Sequence, residues 1–124
     1  MPKLSEHFQE QEFLCRHCGA GTGMISSRLI ALLERTREIY GKPMRISSGF
    51  RCPAHNAAVG GVPTSAHLTG EAADVLCVLS GDRHKLLAAA YAAGSRRVGI
   101  SGSFLHFDVS TLPPQDVTWL YGEE

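Results

Sequence analysis

The sequence lacks a charge excess, a membrane-length apolar run, a leader-like start and any internal repeat, and each absence removes a class of function. Twelve Lys and Arg are matched by twelve Asp and Glu, so the formal net charge is zero. A nucleic-acid binder or a protein drawn to an anionic bilayer carries a basic surplus instead, so neither nucleic acid nor membrane is expected as a partner. No apolar stretch approaches the roughly 20 residues that cross a bilayer. The opening residues, MPKLSEHFQEQEF, are polar and mixed in charge, unlike a secretory signal, so synthesis in the cytoplasm is expected.

What is present fits one small globule. A chain of 124 residues with 44% apolar and 19% charged residues can build a single modest core, so one domain over 1–124 and a monomer are expected. Thirteen glycines and six prolines imply many turns, and loops are where chemistry concentrates. Of the four cysteines, Cys77 lies in an apolar run, where a free thiol behaves as a small hydrophobe.

The clearest helix is Met24 to Tyr40, whose Ile25, Leu29, Leu32, Leu33, Thr36 and Tyr40 follow the spacing of one buried face. Ser26 or Ser27 can cap it, and Gly41 followed by Pro43 stops it. Met44 to Ser47 reads as a short strand, and Pro53 to Val59 as one or two helical turns. Ala72 to Leu79 reads as a buried strand, Asp82 to Ala93 as a second helix, and Arg97–Ser101 with Phe104–Ser110 as a hairpin around Gly102. Strands and helices in this order do not alternate as a doubly wound sheet requires. The fold expected is α+β, a small mainly antiparallel sheet with helices to one side.

Side chains alternate across a strand, which puts Leu105, Phe107 and Val109 on one face and His106, Asp108 and Ser110 on the other. The apolar set can pack on helices while the polar set lines a cleft. Asp74 is an acid inside the apolar run AADVLCVL, and an isolated buried carboxylate is costly unless paired, hydrogen-bonded or bound to metal. His67 precedes it by seven residues, just ahead of a glycine turn at Gly70. With His106 added, two imidazoles and a carboxylate can converge, and three protein ligands with one open position is the arrangement of a catalytic zinc. By spacing alone, a buried Asp such as Asp74 more often caps a turn or pairs with Arg than binds a metal.

The segment Ser65-Ala66-His67-Leu68-Thr69-Gly70-Glu71-Ala72-Ala73-Asp74 resembles the S-x-H-x-x-G-x-A-x-D signature of zinc D-alanyl-D-alanine carboxypeptidases and related peptidoglycan endopeptidases. Ser48-Gly49-Phe50-Arg51, and Asn56 through Gly60-Gly61, resemble that family's S-G-[YF]-R and N-x-x-x-G-G elements. Leu105-His106-Phe107-Asp108-Val109 resembles the closing strand of its small phage- and bacterium-associated branch. The resemblance implies zinc held by His67, Asp74 and His106 in a cleft on the sheet. It further implies an Arg51 that contacts substrate and polarises the carbonyl, and a Ser65 that lines the substrate pocket. The implied partners are peptidoglycan peptides, cleaved beside a D-amino acid after lysis or from within a phage particle.

One departure stands out. Many family members carry a Glu or His general base a few residues before the third ligand, where this chain has Ser103, Phe104 and Leu105. Asp108 is the nearest substitute, as catalytic base or as a carboxylate orienting a ligand; Glu71 is a weaker one. A catalytically inactive, zinc-stabilised wall-binding module is the alternative reading. His55 can orient the Arg51 loop or serve as an ordinary turn histidine, while His7 and His84 suggest nothing specific. Cys15-Arg16-His17-Cys18 is a C-x-x-C with Cys52 as the only obvious third ligand, which leaves open a second metal or a free-thiol turn.

Overall fold

The computed structural model describes residues 2–121. Helix α1 spans Ser27–Tyr40. Ser26, in extended conformation, accepts the Leu29 N–H on its hydroxyl at 3.3 Å, so Met24 and Ile25 run outside the helix rather than opening it. Gly41 closes it in the left-handed conformation that glycine adopts without strain. Leu29, Ile30, Leu32, Leu33 and Thr36 form its buried face.

Strand β1 (Ile46–Ser48) leads to the short helix α2 (Pro53–Ala58), then to a 3-10 turn over Ala66–Thr69 and strand β2 (Ala72–Leu76). Helix α3 (Ser80–Ala92), β3 (Arg97–Ile100), β4 (Phe104–Asp108) and β5 (Val117–Leu120) follow. The sheet order is β1-β2-β4-β3-β5, with every pairing antiparallel except β3 with β5. The fold is α+β, with Leu29 and Leu33 of α1 and Leu86 and Ala90 of α3 packed on the sheet residues Ala73, Val75, Val98, Leu105 and Phe107.

Two sequence expectations need correction. The run Ala72–Leu79 is not one buried strand: β2 ends at Leu76, and Val78 and Leu79 are 60% and 67% exposed where the chain turns into α3. Cys77 does sit in the core, 5% exposed. Residues 117–120, not read as a strand, add the fifth one by parallel pairing with β3.

The register places the polar face. Asp74 pairs directly with His106, His106 with Gly99, and Gly99 with Trp119, so one row crosses four strands on the side away from the helices. Gly99 makes room there: a Cβ would lie 2.6 Å from the Tyr121 ring and 2.7 Å from Trp119 Nε1 and would push those rings away. Without one, the Trp119 ring reaches within 5.4 Å of the His106 ring, centroid to centroid.

Candidate metal centre

His67 is delivered by the 3-10 turn, where the Ser65 hydroxyl caps the turn by accepting the His67 N–H at 3.2 Å. Gly70 ends the turn with positive φ and packs against the Met24 carbonyl, where no Cβ would fit. Five residues of β2 then carry Asp74 inward, and β4 brings His106 opposite it. All three are buried, and one ligand atom from each lies within 4.8 Å of the others.

Hydrogen bonds fix which atoms face the shared point. His67 Nδ1 lies 2.7 Å from the Gly49 carbonyl, which can only accept, so Nδ1 carries the proton and Nε2 offers its lone pair. That Nε2 is buried with no hydrogen-bond partner and lies 3.4 Å from Asp74 Oδ1. His106 Nδ1 approaches the same Asp74 oxygen at 3.0 Å, while its Nε2 lies 2.7 Å from Asp108 Oδ2. An orphaned imidazole nitrogen, a second imidazole backed by a carboxylate and a shared carboxylate oxygen are the donor set zinc takes. The residues present fit the metal.

Three charged groups are perturbed accordingly. Burial raises the Asp74 carboxyl, but the His106 hydrogen bond and the adjoining His67 imidazole outweigh it and hold the group well below the ordinary carboxylate range. Burial likewise opposes the charge on His106, yet its bonds to Asp108 and Asp74 push its pKa up. Asp108 is held low against burial by His106 and Arg97.

Asp108 is fully engaged. Oδ2 faces His106, and Oδ1 accepts from Arg97 Nε at 2.7 Å and from the Ser110 N–H at 3.2 Å. Arg51 reaches the cluster from the other side. Nη2 lies 3.3 Å from Asp74 Oδ2, Nη1 3.3 Å from Asn56 Oδ1 and Nε 3.3 Å from Ser48 Oγ. Gly61 abuts the Asn56 amide so closely that a Cβ would strike it, whereas Gly60 meets nothing and is distinguished by its positive φ. Glu71 is not in the cluster: it pairs with Arg28 at 3.1 Å and with the Thr69 hydroxyl, outside the cleft.

The cleft over the cluster has a volume of about 710 Å³. Arg51 and Ser65 stand on its walls, as do Arg97, Phe104, Trp119 and Tyr121, which sequence reasoning did not single out. Arg97 stacks on the Trp119 ring at 5.0 Å while holding Asp108, so one side chain links β5 to the row of ligands. The sequence gives this wall no alternation to read, since three of the four residues Val117, Thr118, Trp119 and Leu120 are apolar; the alternation appears only in their burial.

The model of one protein family, peptidase M15, matches residues 6–108. The chain belongs to the peptidase M15 family. That match takes in His67, Asp74, His106, Arg51 and Asp108, and stops short of Trp119 and Tyr121. Peptidases of the M15 family are zinc-dependent, which agrees with a His/Asp/His cluster able to hold a metal. No curated protein matches the chain. Among the described residues no helix is long and apolar enough to cross a membrane.

Proposed function

We propose that this M15 peptidase hydrolyses amide bonds beside D-amino acids in peptidoglycan stem peptides or cross-bridges, with zinc held by His67 Nε2, His106 Nδ1 and Asp74. The observation that carries the metal assignment is the buried, unpartnered Nε2 of His67 directed at the Asp74–His106 pair. The bond class rests on the sequence resemblance and on a cleft with a guanidinium beside the ligands. Zinc in such a site activates a water molecule and polarises a carbonyl.

The chain's own residues supply the rest. Arg51 presents a planar fork next to Asp74, suited to a developing oxyanion or to a peptide carboxylate. Asn56 and Ser48 fix that fork's plane. Asp108 accepts the Nε2–H of His106 and so leaves Nδ1 as the ligand atom. With both oxygens already taken, Asp108 is a positioning residue. Trp119, Tyr121 and Phe104 give the cleft an apolar wall against which a stem peptide can lie, excluding water from the reacting bond.

One observation favours the inactive binding module instead: Asp74 and Asp108 are the only carboxylates on the cleft's lining among the described residues, and both are engaged. Digesting purified sacculi with zinc-loaded protein and identifying new termini by mass spectrometry separates the two. New D-amino-acid termini support the peptidase. Binding of muropeptides with no cleavage across varied stems and cross-links overturns it in favour of the module.

A further inference from the structure

The second cluster the fold assembles lies outside the cleft. Cys15, Cys18 and Cys52 bring their sulfurs within 4.8 Å of one another, although Cys52 is more than thirty residues from the other two in sequence. We propose that these three thiolates bind a structural zinc ion, with the fourth corner supplied by an imidazole of the His17–His55 pair.

Local geometry supports thiolates. Cys15-x-x-Cys18-Gly19 forms a tight turn, with the Gly19 N–H bonded to the Cys15 carbonyl at 2.8 Å and Gly19 at positive φ. The Cys15 N–H is tied back to the Ala20 carbonyl at 2.8 Å. Cys52 caps α2, and the His55 N–H points at Cys52 Sγ at 3.4 Å. The Cys52 N–H in turn points at Cys15 Sγ, also at 3.4 Å. Amide donors aimed at sulfur favour the charged thiolate that a metal needs.

A nitrogen donor is close at hand. His17 Nδ1 lies 3.6 Å from Cys52 Sγ, and the His17 and His55 rings stack at 5.8 Å. Zn–S of about 2.3 Å and Zn–N of about 2.0 Å place a tetrahedral S/N ligand pair roughly 3.5 Å apart, close to the 3.6 Å seen. Cys52-Pro53-Ala54-His55 also supplies a C-x-x-H that complements the C-x-x-C. Three sulfurs in mutual reach cannot all be satisfied by one disulfide; a Cys₃His zinc satisfies them together.

Position gives the ion its use. Cys52 directly follows Arg51, so the metal would staple the N-terminal segment to the loop that presents the guanidinium. The claim does not depend on the peptidase reading, and its test keeps the two apart. Elemental analysis of the reduced full chain should find two zinc ions. The His67→Ala/His106→Ala double variant should retain one, and cobalt in that variant should show a thiolate charge-transfer band. Cys18→Ser/Cys52→Ser should lose one zinc and that band. If the serine variant fails to fold, titration of the unaltered protein decides: its thiols should resist a disulfide reagent until a strong chelator is added. His17→Ala or His55→Ala should weaken retention, whichever ring is the ligand; no change in either overturns the imidazole corner. A metal-free but folded His67→Ala/His106→Ala variant, thiols equally reactive with and without chelator, or a Cys15–Cys52 disulfide in the protein as isolated without reductant overturns the site.

Discussion

Asp108→Asn puts the assigned geometry under the most direct strain. The carboxylate accepts on both oxygens, from His106 Nε2–H on one and from Arg97 Nε and the Ser110 N–H on the other. An amide has one accepting atom. If its oxygen keeps Arg97, its NH₂ faces the His106 Nε2–H; the ring must then move its proton to Nδ1, the atom directed at Asp74. If its oxygen keeps His106, the NH₂ faces a guanidinium that is left unpaired and 14% exposed at its side chain. Leaving one partner of a buried charged pair alone costs about 3–5 kcal/mol. The first rotamer shifts much of that onto the metal, and loss of an outer carboxylate behind a ligating histidine lowers affinity about 10–100-fold. Zinc affinity measured by chelator competition should therefore fall by that factor, and turnover on muropeptides should largely return in excess zinc. Unchanged zinc affinity with turnover down by about 10²–10⁴ would refute the positioning role and make Asp108 the general base.

Removing ligands gives the coarser result: His67→Ala or His106→Ala should abolish metal at the cleft and lower the melting temperature, since metal binding is coupled to folding; full occupancy in both excludes the assignment. Arg51→Lys should keep the zinc and most of the stability yet lose about 10²–10³ in turnover, the scale of one lost oxyanion donor, checked by kinetics beside thermal melts. Gly49→Ala should weaken the cleft metal by about 10–100-fold, because its Cβ would lie 2.7 Å from the Phe13 backbone and push the Gly49 carbonyl off His67. The pH dependence follows from His106, whose pKa is raised in the metal-free fold: that stabilisation is complete below the ordinary value of 6.5 and is lost as pH rises through the raised one. Asp74 and Asp108 are held low, so their contribution is present above the ordinary 3.8 and lost as pH falls through the depressed values. Melts with chelator should thus show stability declining above about pH 6.5, and melts with zinc should not; a chelated protein that gains stability towards pH 9 contradicts the pairing.

The sequence exposes what local chain geometry decides. Asp74 follows His67 by seven positions, and a capped turn ended by Gly70 suffices to bring them together, so that half of the cluster was readable. The helix at 27–40 was readable for a similar reason, its apolar period running unbroken between Ser26 and Gly41. Register is different. That His106 stands opposite Asp74, and that Arg97 reaches Asp108, depends on strand pairing between segments with no local mark of one another. Residues two apart along a strand stand about 6–7 Å apart at the backbone; the side chains of His106 and Asp108 lean together and close to 2.7 Å. Residues 117–120 form a strand of only four residues with no alternation of polarity, and their parallel partner β3 lies on the far side of β4 in sequence. The Ala72–Leu79 run misled because its apolar composition continues past the end of the sheet into an exposed turn.

The loop after β1 explains why the two cysteine- and histidine-bearing regions form one construction. Four consecutive residues each commit a backbone group. The Gly49 carbonyl accepts from His67 Nδ1, and the Phe50 N–H donates to the Phe13 carbonyl at 2.8 Å. The Arg51 N–H donates to the His67 carbonyl at 3.0 Å, and the Cys52 N–H points to Cys15 Sγ. Alternate residues therefore face the cleft ligand and the N-terminal segment, as an extended backbone dictates. Phe13, fully buried beneath Gly49, and Arg16, whose guanidinium donates to the Ile46 carbonyl at 2.8 Å, brace the same loop from below. The tautomer of His67 and the aim of Arg51 thus depend on residues 13–18, which never touch the cleft. Among the described residues the N-terminal segment braces that loop, and the three thiols stand where the two meet.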